Sequence, residues 1–297
     1  MNLPSSPPPL VTVAMISRNM AEGLGECLAA LLNQTLQDFE IVLVDDRSRD
    51  GTKERVESLK DPRIRYFRNE KALGYGATRN ISLQPARGKY VFFTDADCLP
   101  AKDWLERGVA IYQAKRCIGV TGHTLPLRDS SKRSERRVVS FDGRFMTCNL
   151  SFTREILEAL GGFDPAFDVG QEDVEFGLRA KREGEIAYAP KMVVYHRVEP
   201  YTLRRLFTDA RRYKTQVMIF KRYPADEYHK RHSPPIVKGV FLKPEDWWII
   251  FCPFLLLRSP ANQSWHDFWL IPFVFLATLY RRLVIWATAL RERILLI

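Results

Sequence analysis

Lys89-Tyr90-Val91-Phe92-Phe93-Thr94-Asp95-Ala96-Asp97 decides how the rest of the chain is read. A short apolar run, bounded by Gly88 and by two carboxylates one residue apart, has the pattern of a buried strand. Strand alternation puts Asp95 and Asp97 on the same side. At the C-terminal end of a strand in an α/β sheet, that side opens onto the crevice where ligands bind. Two carboxylates there repel each other unless a cation or hydrogen bonds compensate. A hard divalent ion with oxygen ligands, bridging to a diphosphate, suits that position. Asp-x-Asp alone is equally an ordinary polar turn, so the flanking sequence carries the decision.

Upstream, strands and helices alternate. Leu10 to Ile16 reads as a strand, and apolar residues at Leu24, Cys27, Leu28, Leu31 and Leu32 have helical spacing. Glu40 to Val44 is a second strand, running into Asp45-Asp46-Arg47-Ser48-Arg49-Asp50-Gly51-Thr52. Lys53 to Leu59 follows as a short helix and Ile64 to Phe67 as a third strand. Gly74-Tyr75-Gly76-Ala77-Thr78-Arg79-Asn80 opens a helix that Pro85 and Gly88 end. After the central strand, Lys102 to about Ala114 is helical. Such alternation implies right-handed βαβ units and a mostly parallel sheet with flanking helices.

Downstream, Arg128 to Arg137 is a polar run that reads as a loop, either a plain solvated one or a lid on the acceptor side. Phe145 to Phe152 has the character of a strand. Thr153 caps a short helix that Gly161-Gly162 terminates. A helix starts at Gln171-Glu172-Asp173 and runs to about Glu183, and Ile186–Ala189 and Met192–His196 are strand-like. The predicted organisation is a flexible segment 1–9, an α/β domain over 10–198 with halves at 10–115 and 116–198, and a helical appendage over 199–297.

Charge separates the appendage from the domain. The net charge is +10; Met1 to Pro190 is balanced, and Lys191 to Ile297 holds 18 basic and 8 acidic residues. Tyr201 to Tyr223 reads as one basic helix. Two apolar stretches follow, Trp247 to Leu257 and Phe268 to Tyr280, with Pro253 and Pro272 expected to interrupt them. Each is shorter than the ~20 residues that span a bilayer. Arg281-Arg282 would cost ~2.5–3.5 kcal/mol each at its centre. Tryptophan and arginine at apolar edges fit a helix lying in a membrane interface. The alternatives are packing on the domain or a partner, or a true span. Five scattered cysteines form no C-x-x-C pair, so neither a zinc site nor a disulfide framework is expected. The Pro/Ser-rich N-terminus has no secretory pattern. The expected location is cytoplasmic, peripheral or monotopic at the inner face of the cell membrane, with no nucleic-acid partner.

Four features in order, over about Val11 to Arg197, resemble the inverting family 2 glycosyltransferases of GT-A fold. They are Val11 to Asn19, where Ile16-Ser17-Arg18-Asn19 stands for the family's usual Pro-Thr-Tyr-Asn; Asp45 to Thr52; Asp95-Ala96-Asp97; and Gly161-Gly162-Phe163-Asp164, followed by Glu172-Asp173 and His196. The resemblance implies transfer of a sugar from a nucleoside-diphosphate sugar, with uridine favoured, to a hydroxyl acceptor; only the basic aromatic tail suggests that this acceptor is lipid-linked, with a polysaccharide as the other expectation. It makes Asp46 the reader of the base, with Ser17, Asn19, Arg79 and Asp95 at the nucleotide. Asp97 becomes the ligand of Mn²⁺ or Mg²⁺, with Asp95 and His196 assisting. Asp173 becomes the catalytic base, Glu172 its second, and Asn149 a lining of the sugar pocket. Plain structural roles stand beside these: an Asx-turn or cap for Asp46, a surface ion pair for Arg79, helix charge complementation for Asp173 and a structural role for His196.

Rival classes lack their marks. No Gly-rich triphosphate loop and no G-x-G-x-x-G follows the first strand. No Gln-x-x-Arg-Trp follows Glu172-Asp173, which argues against a processive synthase. A membrane-associated scaffold with a vestigial sugar-nucleotide site is the alternative from another class.

Overall fold

The computed structural model describes residues 7–128, 135–136, 138–140, 142–200, 202–223, 236–237, 240–241 and 271–293. In chain order the elements begin with β1 (Val11–Ser17), α1 (Ala21–Leu32), β2 (Phe39–Asp45), α2 (Thr52–Glu57), β3 (Ile64–Arg68), α3 (Tyr75–Leu83) and β4 (Tyr90–Asp95). Next come β5 (Cys98–Pro100), α4 (Trp104–Ala114), β6 (Gly119–Pro126), β7 (Glu135–Arg136), β8 (Leu150–Thr153), α5 (Arg154–Ala159), α6 (Glu172–Ala180) and β9 (Ile186–His196). The last are β10 (Glu199–Pro200), α7 (Leu203–Arg211), α8 (Tyr213–Arg222), β11 (Ile236–Val237), β12 (Val240–Phe241) and α9 (Ile271–Arg291). Two compact units result: Met1–Ser130 with Arg137–Val198, and Ser131–Arg136 with Glu199–Ile297.

The first unit is built on one eight-stranded sheet, ordered β3-β2-β1-β4-β8-β6-β9-β5. β3, β2, β1 and β4 are parallel, as the alternation predicts. Beyond β4 the sheet is mixed: β8 is antiparallel to β4 and β6, β9 is parallel to β6, and β5 is antiparallel to β9. Helices cover both faces, which is why β4 is an unbroken apolar run. Phe92 lies in one core layer with Met15, Leu28 and Trp104, meeting the Trp104 ring edge-on at 5.2 Å. Val91 and Phe93 lie in the other, where Phe93 meets Phe163 at 5.4 Å. Each such fully buried side chain contributes about 1.5–3 kcal/mol. Register sets Ser17 beside Asp45, and Ile16 beside Asp95. The polar ends of the central strands therefore share one edge of the sheet.

Several expectations need correction. Phe145–Asn149 is not strand; the chain turns there, and β8 begins only at Leu150. β9 runs through Pro190, because its register to β6 slips between Gly122 and His123, where Ala189 and Val193 are the flanking partners. A bulge at that point needs no N–H from proline. Tyr201 to Tyr223 forms two helices, α7 and α8. Pro272 does not interrupt α9; it is that helix's second residue, where a missing N–H costs little. The stretch Trp247–Leu257 and most of the polar run 128–137 lie outside the described residues.

In the second unit, Val217 of α8 packs with Ile285 of α9. The Phe207 and Tyr280 rings sit 5.8 Å apart, Arg281 lies over the Tyr213 ring, and Lys221 pairs with Glu292 at 2.9 Å. Phe273, Leu276, Leu283, Trp286 and Leu290 of α9 are exposed. At helical spacing they form one stripe. Among the described residues no helix is long and apolar enough to cross a membrane.

Candidate active site

Two loops at the ends of β1 and β2 are joined by their own polar side chains. Asn19 donates its N–H to Ser48 Oγ (2.8 Å) and accepts from the Arg49 N–H at Oδ1 (2.9 Å). Asp50 accepts from the Ala21 N–H at 2.9 Å and from Thr52 Oγ1 at 2.6 Å. Asp45 accepts from the Ser48 N–H and the Tyr66 hydroxyl, both at 2.7 Å. Most of the acidic motif is therefore scaffold, and Asn19 belongs to it. Asp46 differs. Its Oδ1 accepts from Asn69 Nδ2 and the Leu73 N–H at 2.8 Å, whereas its Oδ2 has only a long bond from Gly74 N–H (3.3 Å) and Arg18 at 3.7 Å. A carboxylate oxygen can take a second donor, so Oδ2 is the atom left for a ligand N–H. Ser17, next to it at the end of β1, has a buried Oγ without a hydrogen-bond partner.

Gly74 and Gly76, at the start of α3, serve a purpose that no sequence pattern shows. A Cβ on Gly74 would come within 2.5 Å of the Asp168 carbonyl oxygen, and one on Gly76 within 2.7 Å of that of Asp164. They let the start of α3 pack closely on the 164–168 loop. Arg79 is likewise turned inward. It is 2% exposed, donating from Nη2 to Asp95 Oδ1 at 3.0 Å and from Nε to Glu172 Oε1 at 2.9 Å. Arg79, expected at the nucleotide, forms a buried bridge between β4 and α6. Arg79 Nη1 and Glu172 Oε2 are buried with no hydrogen-bond partner.

Asp95 and Asp97 part company. β4 ends at Asp95 and the chain turns through Ala96-Asp97, so strand alternation does not carry past Asp95. Asp95 faces Arg79, while Asp97 Oδ2 lies 3.5 Å from His196 Nε2. His196 Nδ1 is 2.8 Å from the Arg197 carbonyl oxygen. A carbonyl only accepts, so Nδ1 carries hydrogen and Nε2 is the atom aimed at Asp97. A carboxylate facing a ring nitrogen in a buried pocket calls for a cation or a proton between them. The donor set therefore fits a divalent metal, and Cys98 joins Asp97 and His196 in the same cluster.

Asp173 stands in the first turn of α6, whose N-cap Gln171 has φ of +67°. Its Oδ2 accepts from the Thr147 N–H at 3.1 Å. Burial raises its carboxyl above the ordinary aspartate value, against the pull of the Arg79 charge and of the Thr147 and Val174 amides. Glu172 is raised too, by burial and then by Asp173, against Arg79. The two carboxylates diverge, Glu172 inward to Arg79 and Asp173 toward the 147 turn, as adjacent helical residues must. Asn149 is not placed to line a sugar pocket. It is 2% exposed; its Oδ1 accepts from Trp104 Nε1 (2.9 Å), and its Nδ2 donates to the carbonyls of His123 and Met192 (3.0 Å each). Thr147 and Cys98 were missed by sequence reasoning. Only the fold brings Thr147 to Asp173 and Cys98 to His196, and no local pattern announces either.

The chain is similar to known proteins in sequence and in fold. Residues 12–163 match Glycosyl transferase family 2. Glycosyltransferase AglE of Haloferax volcanii is 28% identical over 209 residues, 65% of this chain and 68% of that protein. The Escherichia coli protein WfaP, a UDP-Glc:alpha-D-GlcNAc-diphosphoundecaprenol beta-1,3-glucosyltransferase, is 23% identical over 194 residues, 64% of this chain and 77% of its own. Among solved structures, the mannosyltransferase PcManGT from Pyrobaculum calidifontis, in complex with GDP-Man and Mn²⁺, superposes with a TM-score of 0.60 at 22% identity, covering 96% of this chain and 88% of that one.

Proposed function

The chain belongs to glycosyl transferase family 2, and from that premise we propose that it transfers a sugar, with inversion, from a UDP-sugar to a hydroxyl acceptor at a membrane surface. The observation that supports this most is that one buried arginine, Arg79, ties Asp95, two residues before Asp97, to Glu172, the neighbour of Asp173. Asp46 Oδ2 accepts the N3–H of uracil, a donor that cytosine lacks. Asp97 and His196 would hold Mn²⁺ or Mg²⁺, which when bound would neutralise charge on the departing diphosphate. Asp95 is the residue at the ribose, held in place by Arg79.

Asp173 takes the proton of the acceptor hydroxyl as that oxygen attacks the anomeric carbon opposite the leaving group. Its raised pKa makes it a stronger base than an ordinary aspartate, while the α6 N-terminus and the Thr147 amide favour its charged form. Glu172 does not share that role; it anchors α6 to Arg79. UDP-sugar turnover tests the assignment: Asp173→Asn should abolish sugar transfer and leave UDP binding intact. Loss of both would make Asp173 structural.

A lipid-linked acceptor is supported by three observations. The last third of the chain carries the whole basic excess. α9 exposes an apolar stripe that includes Trp286. WfaP is named for a diphosphoundecaprenol acceptor. Attachment is at the interface, on the cytoplasmic side, without a span. The scaffold alternative lacks support from the site, whose acidic residues are all present.

A further inference from the structure

Arg18 follows β1 directly, and its guanidinium stands beside the carboxylate of Asp46. The side chain is more than half exposed, and the ion pair it makes among the described residues is with Asp46, Nη1 lying 3.7 Å from Oδ2. That separation is too long for a hydrogen bond. A guanidinium that served only to neutralise the carboxylate would close on both oxygens at ~2.7–2.9 Å, fork to fork. Here Oδ1 is taken by Asn69 and the Leu73 N–H, and Oδ2 alone faces Arg18. Asp46 is buried, so an acceptor in the wall of the site has a donor beside it that reaches in from solvent. The backbone on both sides is fixed. Asn19 (φ +54°) and Arg47 (φ +64°) hold left-handed conformations that residues other than glycine rarely adopt. Such strain persists only where the surroundings over-determine it. Asn19 is held by Ser48 and Arg49, and the Asp46 N–H donates to the Ser17 carbonyl oxygen at 2.8 Å. Arg18 and Asp46 thus start from two turns tied to each other.

We propose that Arg18 is a second reader of the base: it donates to a carbonyl oxygen of uracil next to the N3–H that Asp46 Oδ2 accepts. This role rests on the reading of Asp46 as the base-binding residue. The imide edge of uracil carries a carbonyl oxygen on each side of N3–H. An acceptor with a donor alongside is the complement of that edge, and the 3.7 Å gap leaves both atoms unspent. Held in the same register, cytosine turns its N3 lone pair on Oδ2, so that two acceptors face each other. The guanidinium has a second effect. A base seated over Asp46 excludes water from the carboxylate, and a cation at its side offsets the loss of hydration. A plain surface ion pair would be worth little at this exposure, and it explains the attraction but not the gap. A contact from Arg18 to the diphosphate would be blind to the base, which gives the two roles different signatures.

The test is calorimetric titration of the full chain, in saturating Mn²⁺, with UDP, 2-thio-UDP and 4-thio-UDP. Sulfur is a weaker acceptor than oxygen, so the analogue altered at the carbonyl that Arg18 reads should bind wild type more weakly than UDP does. Arg18→Ala should bind UDP about 10-fold more weakly, the scale of one lost hydrogen bond to a charged group. It should also no longer distinguish that analogue from UDP. Arg18 is exposed, so the variant should melt with wild type. The same preference among the three nucleotides in wild type and in Arg18→Ala would put Arg18 on the ring face or the phosphates and overturn the proposal. UDP binding that is unchanged in Arg18→Ala but lost in folded Asp46→Asn would overturn it too, leaving the reading of Asp46 in place. No binding of UDP by folded wild type would remove both.

Discussion

Arg79→Met removes the buried cation that joins β4 to α6. The guanidinium is 2% exposed and bonds Glu172 at 2.9 Å and Asp95 at 3.0 Å. Glu172 is itself buried, whereas about a third of the Asp95 side chain is open to water. The cost therefore falls mainly on Glu172. Leaving one partner of a buried ion pair unpaired costs about 3–5 kcal/mol. Glu172 can escape part of that cost by taking a proton, since burial already raises its pKa. A carboxyl with a raised folded pKa binds a proton that the unfolded chain has released, so stability falls as pH climbs above the ordinary glutamate range. Removing Arg79 widens that window. The loss in Arg79→Met should thus be smaller near pH 5 and approach the full figure near pH 8. Urea unfolding at both values, followed by near-ultraviolet circular dichroism, measures it. Adding Glu172→Gln should recover part of the loss, because the stranded charge is gone. A pH-independent loss below about 1 kcal/mol, the range of a surface ion pair, would refute the reasoning.

Other perturbations separate chemistry from scaffold. Asp173→Asn should lower kcat by about 10²–10⁴-fold with donor KM nearly unchanged. In wild type the ascending limb of kcat against pH should lie above the ordinary aspartate value, since the raised carboxyl must lose its proton to act; a limb at or below that value would remove Asp173 as base. Asn149→Ala strands the Trp104 N–H and should destabilise by about 1–3 kcal/mol, read by thermal melting, without altering sugar preference; a switched donor sugar would return Asn149 to the pocket. Leu283→Glu with Leu290→Glu, on the exposed stripe of α9, should release the protein from anionic vesicles in a flotation assay and leave its melting temperature unchanged. Unchanged partitioning would remove α9 from the membrane contact.

Legibility in the sequence followed the physics of each signal. The first half of the domain was readable because each strand is a bounded apolar run ending in a polar motif, and the helices between have clear spacing. β5 was invisible: Cys98–Pro100 is three residues long, too short for any period, and contains a proline. Phe145–Asn149 mimicked a strand because its apolar residues are buried, yet the turn that presents Thr147 to Asp173 is what buries them. Asp46, Asp97, Asp173 and His196 were legible as site candidates because family motifs mark them. Their partners were not, because Arg79 meets Glu172 across 93 positions of chain and Thr147 meets Asp173 across 26. Asn149 and Arg79, expected at a ligand from their place near motifs, make interior hydrogen bonds that no local pattern announces.

Calorimetric titration of the full chain with UDP and GDP, with and without Mn²⁺, in wild type and in Asp97→Asn, bears most directly on the claim of a metal-assisted UDP-sugar site. The account predicts metal-dependent binding of UDP in preference to GDP, lost when Asp97 becomes asparagine. Binding of neither nucleotide by folded wild-type protein, with or without the ion, would contradict it and favour a scaffold built on the same fold.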